Sequence, residues 1–293
     1  MKRISVVLTI AALGAMLAGC TTTREPERVI QPAPPYGEIV ERYNDRVSQL
    51  GRLHARAVAA VDGTDAEGRR LKEQAEGYLL IERPDRLALM LGKLGDTNLY
   101  LGANAESYWW FDMVSEEKLA LVGRHDAITR RKTDALGLPV RPLDLIELSG
   151  LTPLPEAGGT TARDARGNLV VTTSLPRGTK VMTLEPRSLR PISITLLDLS
   201  GEEAVTAELG QYAPVTVEGD GAARPRTATR VVARPAGFDA EIRLTLYEPK
   251  NRSLNARAFD VDRLIRIYRF ADDEVVDLDE VLPPPVGVVV PAP

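Results

Sequence analysis

Apolar and polar residues alternate along much of the chain from residue 52 onward. In the first such stretch the apolar set is Leu53, Ala55, Ala57, Ala59 and Val61. The alternation returns at 191–199 and 241–247, and connections as short as residues 186–188 separate neighbouring stretches. A period of two is that of a strand with one buried face, and hairpin-length connections join antiparallel neighbours. The sequence therefore predicts a mainly β (α+β) body with a single curved antiparallel sheet, an incomplete barrel of about 11 to 12 strands.

Two segments break this alternation with the spacing of a helix. In the first, apolar residues recur at intervals of four and three, at Tyr36, Val40, Tyr43, Val47 and Leu50. Gly51 ends that pattern. The second segment begins at Pro142, and Gly150 stands where a helix C-terminal cap belongs. Because a sheet with one apolar face must bury it, we predict that about two helices cover the concave face.

The first twenty residues carry the pattern of an exported lipoprotein precursor. Lys2 and Arg3 precede an uncharged run, residues 4–18, which is shorter than the ~20 apolar residues of a membrane-spanning helix. The run ends in Leu-Ala-Gly-Cys at 17–20, which resembles the lipobox of bacterial lipoproteins. Residues 1–19 are therefore predicted to be a signal peptide, cut off before a lipidated Cys20 that anchors the protein in a membrane. The alternative is an ordinary signal peptide in which Cys20 is incidental.

The remaining chain is predicted to have three parts. Residues 20–35 are polar and rich in proline, which is typical of an extended tether. Residues 36–270 form the body, with a charged irregular loop at 124–139 and a last strand at Leu264–Phe270. Residues 271–293 are acidic and then rich in proline and valine, which predicts a disordered tail.

Composition narrows the classes of function. Cys20 is the single cysteine, so no disulfide can form within the chain. Loss of Lys2 and Arg3 with the signal peptide changes the formal net charge from −4 to −6, which argues against a nucleic-acid partner. The two histidines, His54 and His125, lie on separate segments without a metal-binding or hydrolase motif. We predict no metal, no cofactor, no catalytic residue and no enzyme activity.

Residues 76–87 and 98–112 resemble two hairpins of the LolA/LolB-like family of lipoprotein carriers and acceptors. Gly77, Arg83, Pro84 and Leu87 match the family pattern G-x-φ-x-x-x-R-P-x-x-φ, in which φ is apolar. Trp-Trp-Phe-Asp at 109–112 resembles the Trp and aromatic-Asp pair of the next hairpin. The resemblance implies a half-barrel with a helical lid over a hydrophobic cavity that holds acyl chains.

The same resemblance implies roles for two residues. Arg83 matches the arginine that, in the soluble carrier, hydrogen-bonds to the lid and keeps it shut; the alternative is a turn residue beside Pro84. The diffusing carrier has no lipobox, whereas the outer-membrane acceptor is a lipoprotein, so Cys20 places this chain nearer the acceptor. Thr21, and no aspartate, follows Cys20. By the sorting rule of Gram-negative lipoproteins, this favours the outer membrane, facing the periplasm.

The predicted ligand is an acyl chain of a lipid or lipoprotein, bound by a monomer. The predicted cavity wall consists of inward-pointing apolar residues. These are Leu89, Leu91, Leu99, Leu101, Trp109, Phe111, Ile194, Leu196, Leu244 and Leu246. Trp109 and Phe111 are assigned inward because the opposite face of their strand carries Asp112, which we expect to contact water.

A second class of function stays open at this point. The same sheet with a filled core would suit a structural or interaction lipoprotein of the cell envelope that docks a protein partner. A continuous apolar void under the helices favours ligand binding, and ordinary packing density favours the interaction protein.

Overall fold

The computed structural model describes residues 32–64, 68, 70–93, 96–114, 118–127, 141–219 and 224–280. The predicted signal peptide, Cys20 and the first part of the tether lie outside the described residues. So do residues 128–139 of the charged loop and 281–293 of the tail. In the described part of the chain, no helix combines the length and the apolarity needed to cross a membrane.

Over these residues, fifteen strands form one curved sheet. The first six are β1 (Arg52–Thr64), β2 (Arg70–Glu82), β3 (Arg86–Lys93), β4 (Asp96–Ala103), β5 (Ser107–Asp112) and β6 (Leu119–Arg124). The other nine are β7 (Thr160–Arg163), β8 (Leu169–Leu175), β9 (Gly178–Leu184), β10 (Pro191–Leu197), β11 (Glu203–Pro214), β12 (Thr216–Val217), β13 (Arg226–Pro235), β14 (Ala240–Asn251) and β15 (Val275–Asp277).

The strands are ordered β15-β6-β5-β4-β3-β2-β1-β14-β13-β11-β10-β9-β8-β7, with β12 beside β14. The pairing of β1 with β14 joins the two halves of the chain at the centre of the sheet. Neighbours are antiparallel except for two short parallel pairs, β12 with β14 and β15 with β6. The predicted fold class is confirmed, and the sheet does not close into a barrel. Very short strands such as β12 show no alternation, and this explains why the predicted count was lower.

The first two helices agree with the sequence prediction. Helix α1 spans Tyr36–Ser48 and buries the apolar stripe Ile39, Val40, Tyr43 and Val47. Helix α2 spans Asp144–Leu148 and is followed by Gly150, whose φ of +69° is a conformation that glycine adopts without strain.

The C-terminal region differs from the prediction in two ways. The strand predicted at Leu264–Phe270 is instead helix α3, Val261–Tyr268. The Asp260 side chain caps this helix by accepting a hydrogen bond from the Arg263 backbone N–H. The predicted disorder of the tail is also wrong for residues 271–280, because β15 pairs with β6 and Leu278 is buried.

The pairing register shows which residues lie on each face of the sheet, because residues directly opposite each other in antiparallel strands share a face. Leu79 pairs with Leu89, Leu89 with Leu101, and Leu101 with Trp110. We call this side the inner face, because residues of α1 and α2 pack against it. The opposite side, the outer face, is covered along β3–β6 by α3 and the 3₁₀ turn Ala256–Phe259.

Candidate functional site

Eight of the ten predicted cavity residues lie on the inner face. Those on β3, β4 and β14 are Leu89, Leu91, Leu99, Leu101, Leu244 and Leu246. Ile194 and Leu196, on β10, belong to a cluster that is buried beneath α1 together with Tyr43 and Val47. In this structure the half of the sheet under α1 is therefore a packed core, and the half-buried part of the inner face lies in the other half.

The inward assignment of Trp109 and Phe111 is wrong. Phe111 pairs with Tyr100 on the outer face, and its ring centroid lies 5.0 Å from that of Phe270, just beyond α3. Trp109 lies across Gly102 on the same face and is fully buried. These two aromatic residues therefore hold the C-terminal segment against the sheet.

The inner-face residue of β5 is Trp110. It pairs with Leu101 on one side and Leu121 on the other, and it is half-buried. Asp112, which was expected to mark the wet outer side, shares the inner face with Trp110 and pairs with Leu99. A polar residue on the inner face indicates that this end of the sheet is accessible to water.

Exposure of the inner face increases along the strands. Near the end of α1, one row across the sheet is buried completely, and it consists of Leu53, Ile81, Leu87, Ala103 and Tyr108. Two residues further along the strands, Leu79, Leu101 and Leu121 are still buried, but Leu89 and Trp110 are half-buried. Beyond them, Leu99, Leu119 and Leu244 are half-buried as well. The inner face is thus completely buried at one end, and toward the other end half-buried apolar residues stand among buried ones such as Leu91 and Leu246.

The half-buried apolar residues at the accessible end form the candidate site. We call this set the open inner surface; it comprises Leu89, Leu99, Trp110, Leu119 and Leu244 of the sheet with Leu143 and Leu145 beside and within α2. Sequence reasoning missed Trp110, Leu119, Leu143 and Leu145. Trp110 could have been found from the sequence by pairing it with Leu101 across the β4–β5 hairpin, since paired residues share a face.

Arg83 joins the sheet to the first helix. Its Nη2 donates a hydrogen bond of 2.8 Å to the carbonyl oxygen of Val47, in the last turn of α1, while its backbone N–H donates to Gly51. Burial lowers the pKa of the Arg83 guanidinium, which lies where the partial negative charge of a helix C-terminus favours a cation. The position suits the predicted lid latch, although the contact by itself also suits a purely structural role.

We expect Arg83→Met to lower the free energy of unfolding by about 1.5–3 kcal/mol, the usual range for a hydrogen bond to a charged group. Amide exchange of residues 44–48 should accelerate, because the last turn of α1 loses its anchor. Arg86→Met is the matched control: Arg86 pairs with Glu82 in an exposed ion pair, which contributes less than about 1 kcal/mol. Equal losses in the two variants would contradict this assignment.

Charged groups beneath α2 are paired. Lys180 of β9 is 2% exposed, and its Nζ lies 2.7 Å from Glu147 Oε2. Asp144 accepts a hydrogen bond of 2.9 Å from Arg141 Nε; burial raises the pKa of its carboxyl, and the arginine opposes that shift. The Lys180–Glu147 pair therefore joins the short α2 to β9 of the sheet, whereas Arg141 and Asp144 form a local pair at the first turn of the helix.

The histidines do not form a site. His54 lies next to Arg252, while His125 bonds to the Asn104 carbonyl and contacts the Tyr108 ring, with centroids 5.6 Å apart. Burial lowers the pKa of His125. Among the described residues, no group of histidine, cysteine, aspartate and glutamate is arranged to hold a metal ion.

A depression of about 320 Å³ lies on the outer face between Arg56, Tyr78 and Met90. Glu76 and Asp96 stand at its edge. Because charges of both signs line it, it is a poorer match for an acyl chain than the open inner surface.

Solved structures share this architecture. A LolA superfamily protein from Nitrosomonas europaea superposes with a TM-score of 0.51 at 12% identity, covering 78% of this chain and 99% of that one. A DUF1329 family protein from Desulfovibrio piger gives 0.53 at 11% identity, with 78% and 97% covered. A domain named for outer membrane lipoprotein sorting, from Vibrio parahaemolyticus, gives 0.51 at 14% identity, again with 78% and 97% covered.

This chain has the LolA fold. The sequence matches no family model and no curated protein, so the likeness is one of architecture. In terms of the LolA fold, α1 and α2 occupy the inner face of the half-barrel, and the open inner surface lies beside α2.

Proposed function

We propose that this protein is a membrane-anchored lipoprotein of the periplasm that binds the acyl chain of a lipid or lipoprotein on its open inner surface. One observation carries the proposal: the inner face of the half-barrel keeps a set of half-buried apolar residues, including Leu89, Trp110 and Leu244, that pack against one buried cluster. Burying apolar surface is favourable by roughly 25 cal/mol per Å². An acyl chain lying along these residues gains that stabilisation without any polar partner.

The proposal also includes the membrane anchor, the compartment that the body faces and the role of Arg83. Lipidation of Cys20 would hold the body at the outer membrane facing the periplasm, with residues 21–35 as the tether. Arg83 would act as the latch between the sheet and α1, whose C-terminal turn it contacts at 2.8 Å. The fold shared with the domain named for outer membrane lipoprotein sorting supports a role in lipid or lipoprotein trafficking.

The alternative is an interaction lipoprotein with a filled core, and the close packing of the half of the sheet beneath α1 favours it. There Tyr43, Val47 and Ile194 are fully buried, as in an ordinary core. The two proposals differ at the other half, where half-buried Leu89 and Trp110 offer an acyl chain apolar surface that is still accessible to water.

A charge placed on the open inner surface separates these readings. We expect Leu89→Glu to weaken binding of a fluorescent fatty acid by about 100-fold or more, because an unpaired carboxylate beside an acyl chain loses its hydration. The protein used lacks residues 1–20 and is otherwise whole, and binding is measured by fluorescence titration.

Leu199→Glu is the matched control. Leu199 lies in the β10–β11 turn and is 83% exposed, so the same substitution there should leave the affinity unchanged. Both variants must keep a cooperative thermal melt before their affinities are compared. Failure of the unmodified protein to bind any acyl probe at micromolar concentration would favour the interaction protein.

A further inference from the structure

Lys180 of β9 lies on the inner face among apolar neighbours. Lys180 stands directly opposite Leu196 on β10 and Thr173 on β8, and all three are nearly inaccessible to water. Met182, two residues along the same strand, belongs to the buried apolar cluster. A buried ammonium group is costly unless an anion and hydrogen-bond acceptors surround it, so this position must be supplied with negative charge.

In this structure the negative charge comes from α2. Glu147 Oε2 lies 2.7 Å from Lys180 Nζ, and the carboxylate side chain is 19% exposed. The same short helix places Leu145 at the edge of the open inner surface and Ile146 in the buried cluster beneath it. The element that supplies the anion is therefore also the element that borders the candidate acyl site.

A second polar group beside Lys180 has no partner among the described residues. Thr173 is 1% exposed, shares the inner face with Lys180 by register, and its Oγ1 is buried without a hydrogen bond. Buried hydroxyl groups in folded proteins are rarely left unsatisfied. Thr173 and Lys180 therefore occupy paired positions on one face, and each side chain can donate a hydrogen bond to an anionic oxygen, whereas Glu147 is bonded to the ammonium.

We propose that Lys180 and Thr173 form a subsite for the anionic headgroup of the ligand, and that Glu147 occupies it when no ligand is bound. The proposal rests on the acyl site described above and adds the class of ligand: an amphiphile whose head carries a carboxylate or a phosphate. When α2 lifts to admit the ligand, Lys180 loses Glu147, and the ligand's anion replaces it. A neutral amphiphile leaves the ammonium unpaired, so it binds less tightly.

The test compares pairs of probes that differ only in charge. A fluorescent fatty acid is matched with the corresponding fatty alcohol, and a fluorescent phosphatidic acid with the corresponding diacylglycerol. We expect the unmodified protein to prefer the anionic member of at least one pair by about tenfold or more, the range of a charge-assisted hydrogen bond. A preference confined to one pair identifies whether the carboxylate or the phosphate is the natural head.

Two variants assign the preference to this subsite. Glu147→Gln removes the competing carboxylate, so it should tighten anionic probes while leaving neutral ones unchanged, and anionic probes should raise its melting temperature more than that of the unmodified protein. The double variant Lys180→Met with Glu147→Leu replaces the ion pair by apolar side chains, which proteins usually tolerate. It should bind anionic and neutral probes equally.

The outcomes separate this inference from the proposed function. Equal binding of charged and neutral probes by the unmodified protein, or a charge preference that survives in the double variant, overturns the headgroup subsite and leaves the acyl site intact. If no probe binds the unmodified protein, both proposals are overturned.

Discussion

Replacing Cys20 with serine is expected to move the protein almost completely from the membrane pellet to the soluble or unprocessed fraction. The thiol of Cys20 is the only one in the chain, so no other cysteine can accept the lipid. A single acyl chain binds a membrane only marginally, whereas the two or three chains of a bacterial lipoprotein anchor it stably. The measurement is fractionation of cells followed by detection of the protein in each fraction.

Metabolic labelling with a radioactive fatty acid provides the control for this experiment. The unmodified protein should incorporate label and the Cys20→Ser variant should not. If the unmodified protein carries no label and both forms fractionate alike, Cys20 is incidental and the anchor is not lipid.

The sheet was predictable because its alternation is local. In residues 53–61 of β1 and 242–246 of β14 every second residue is apolar, and one buried face follows from that period alone. The register of the sheet is likewise fixed where a short turn joins two strands, as between β8 and β9. The short strand β15 is held by pairing with β6, a contact distant in sequence that no local pattern reveals.

The orientation of β5 was not predictable by the same argument, because both of its faces carry large aromatic residues. Trp109 and Phe111 alternate with Trp110 and Asp112, and the aspartate suggested that its face was wet. The true reason for the second apolar face is α3, whose Leu264 packs in the outer-face cluster with Trp109 and Phe111. Asp260 as a cap, followed by apolar residues at helical spacing, is the signal that would have revealed this helix.

For Arg83 and Lys180, the sequence indicated the residue but not its partner. Arg83 was selected through resemblance, and the structure brings it to the last turn of α1. The alternation of β9 assigns Lys180 to the buried face together with Met182. Its partner could not be predicted from that pattern, because Glu147 lies on α2, a separate element that only the fold brings next to Lys180.

The two tryptophans provide a direct measurement of where an acyl chain binds. They are adjacent in sequence but lie on opposite faces: Trp110 is half-buried on the inner face, and Trp109 is buried on the outer face beneath the α3 region. A fatty acid brominated along its chain quenches a tryptophan only at close contact. Trp109→Phe leaves Trp110 as the single reporter of the inner face, and Trp110→Phe leaves Trp109 as the single reporter of the outer face.

We expect the brominated fatty acid to quench most of the fluorescence of the Trp109→Phe variant and little or none of that of the Trp110→Phe variant. The unbrominated acid serves as the control for changes in emission that binding alone produces, and both variants must show the cooperative melt of the unmodified protein. Quenching confined to Trp110 is the result that an acyl chain on the open inner surface requires. Equal quenching of the two variants, or none in the Trp109→Phe variant at saturating ligand, would contradict it.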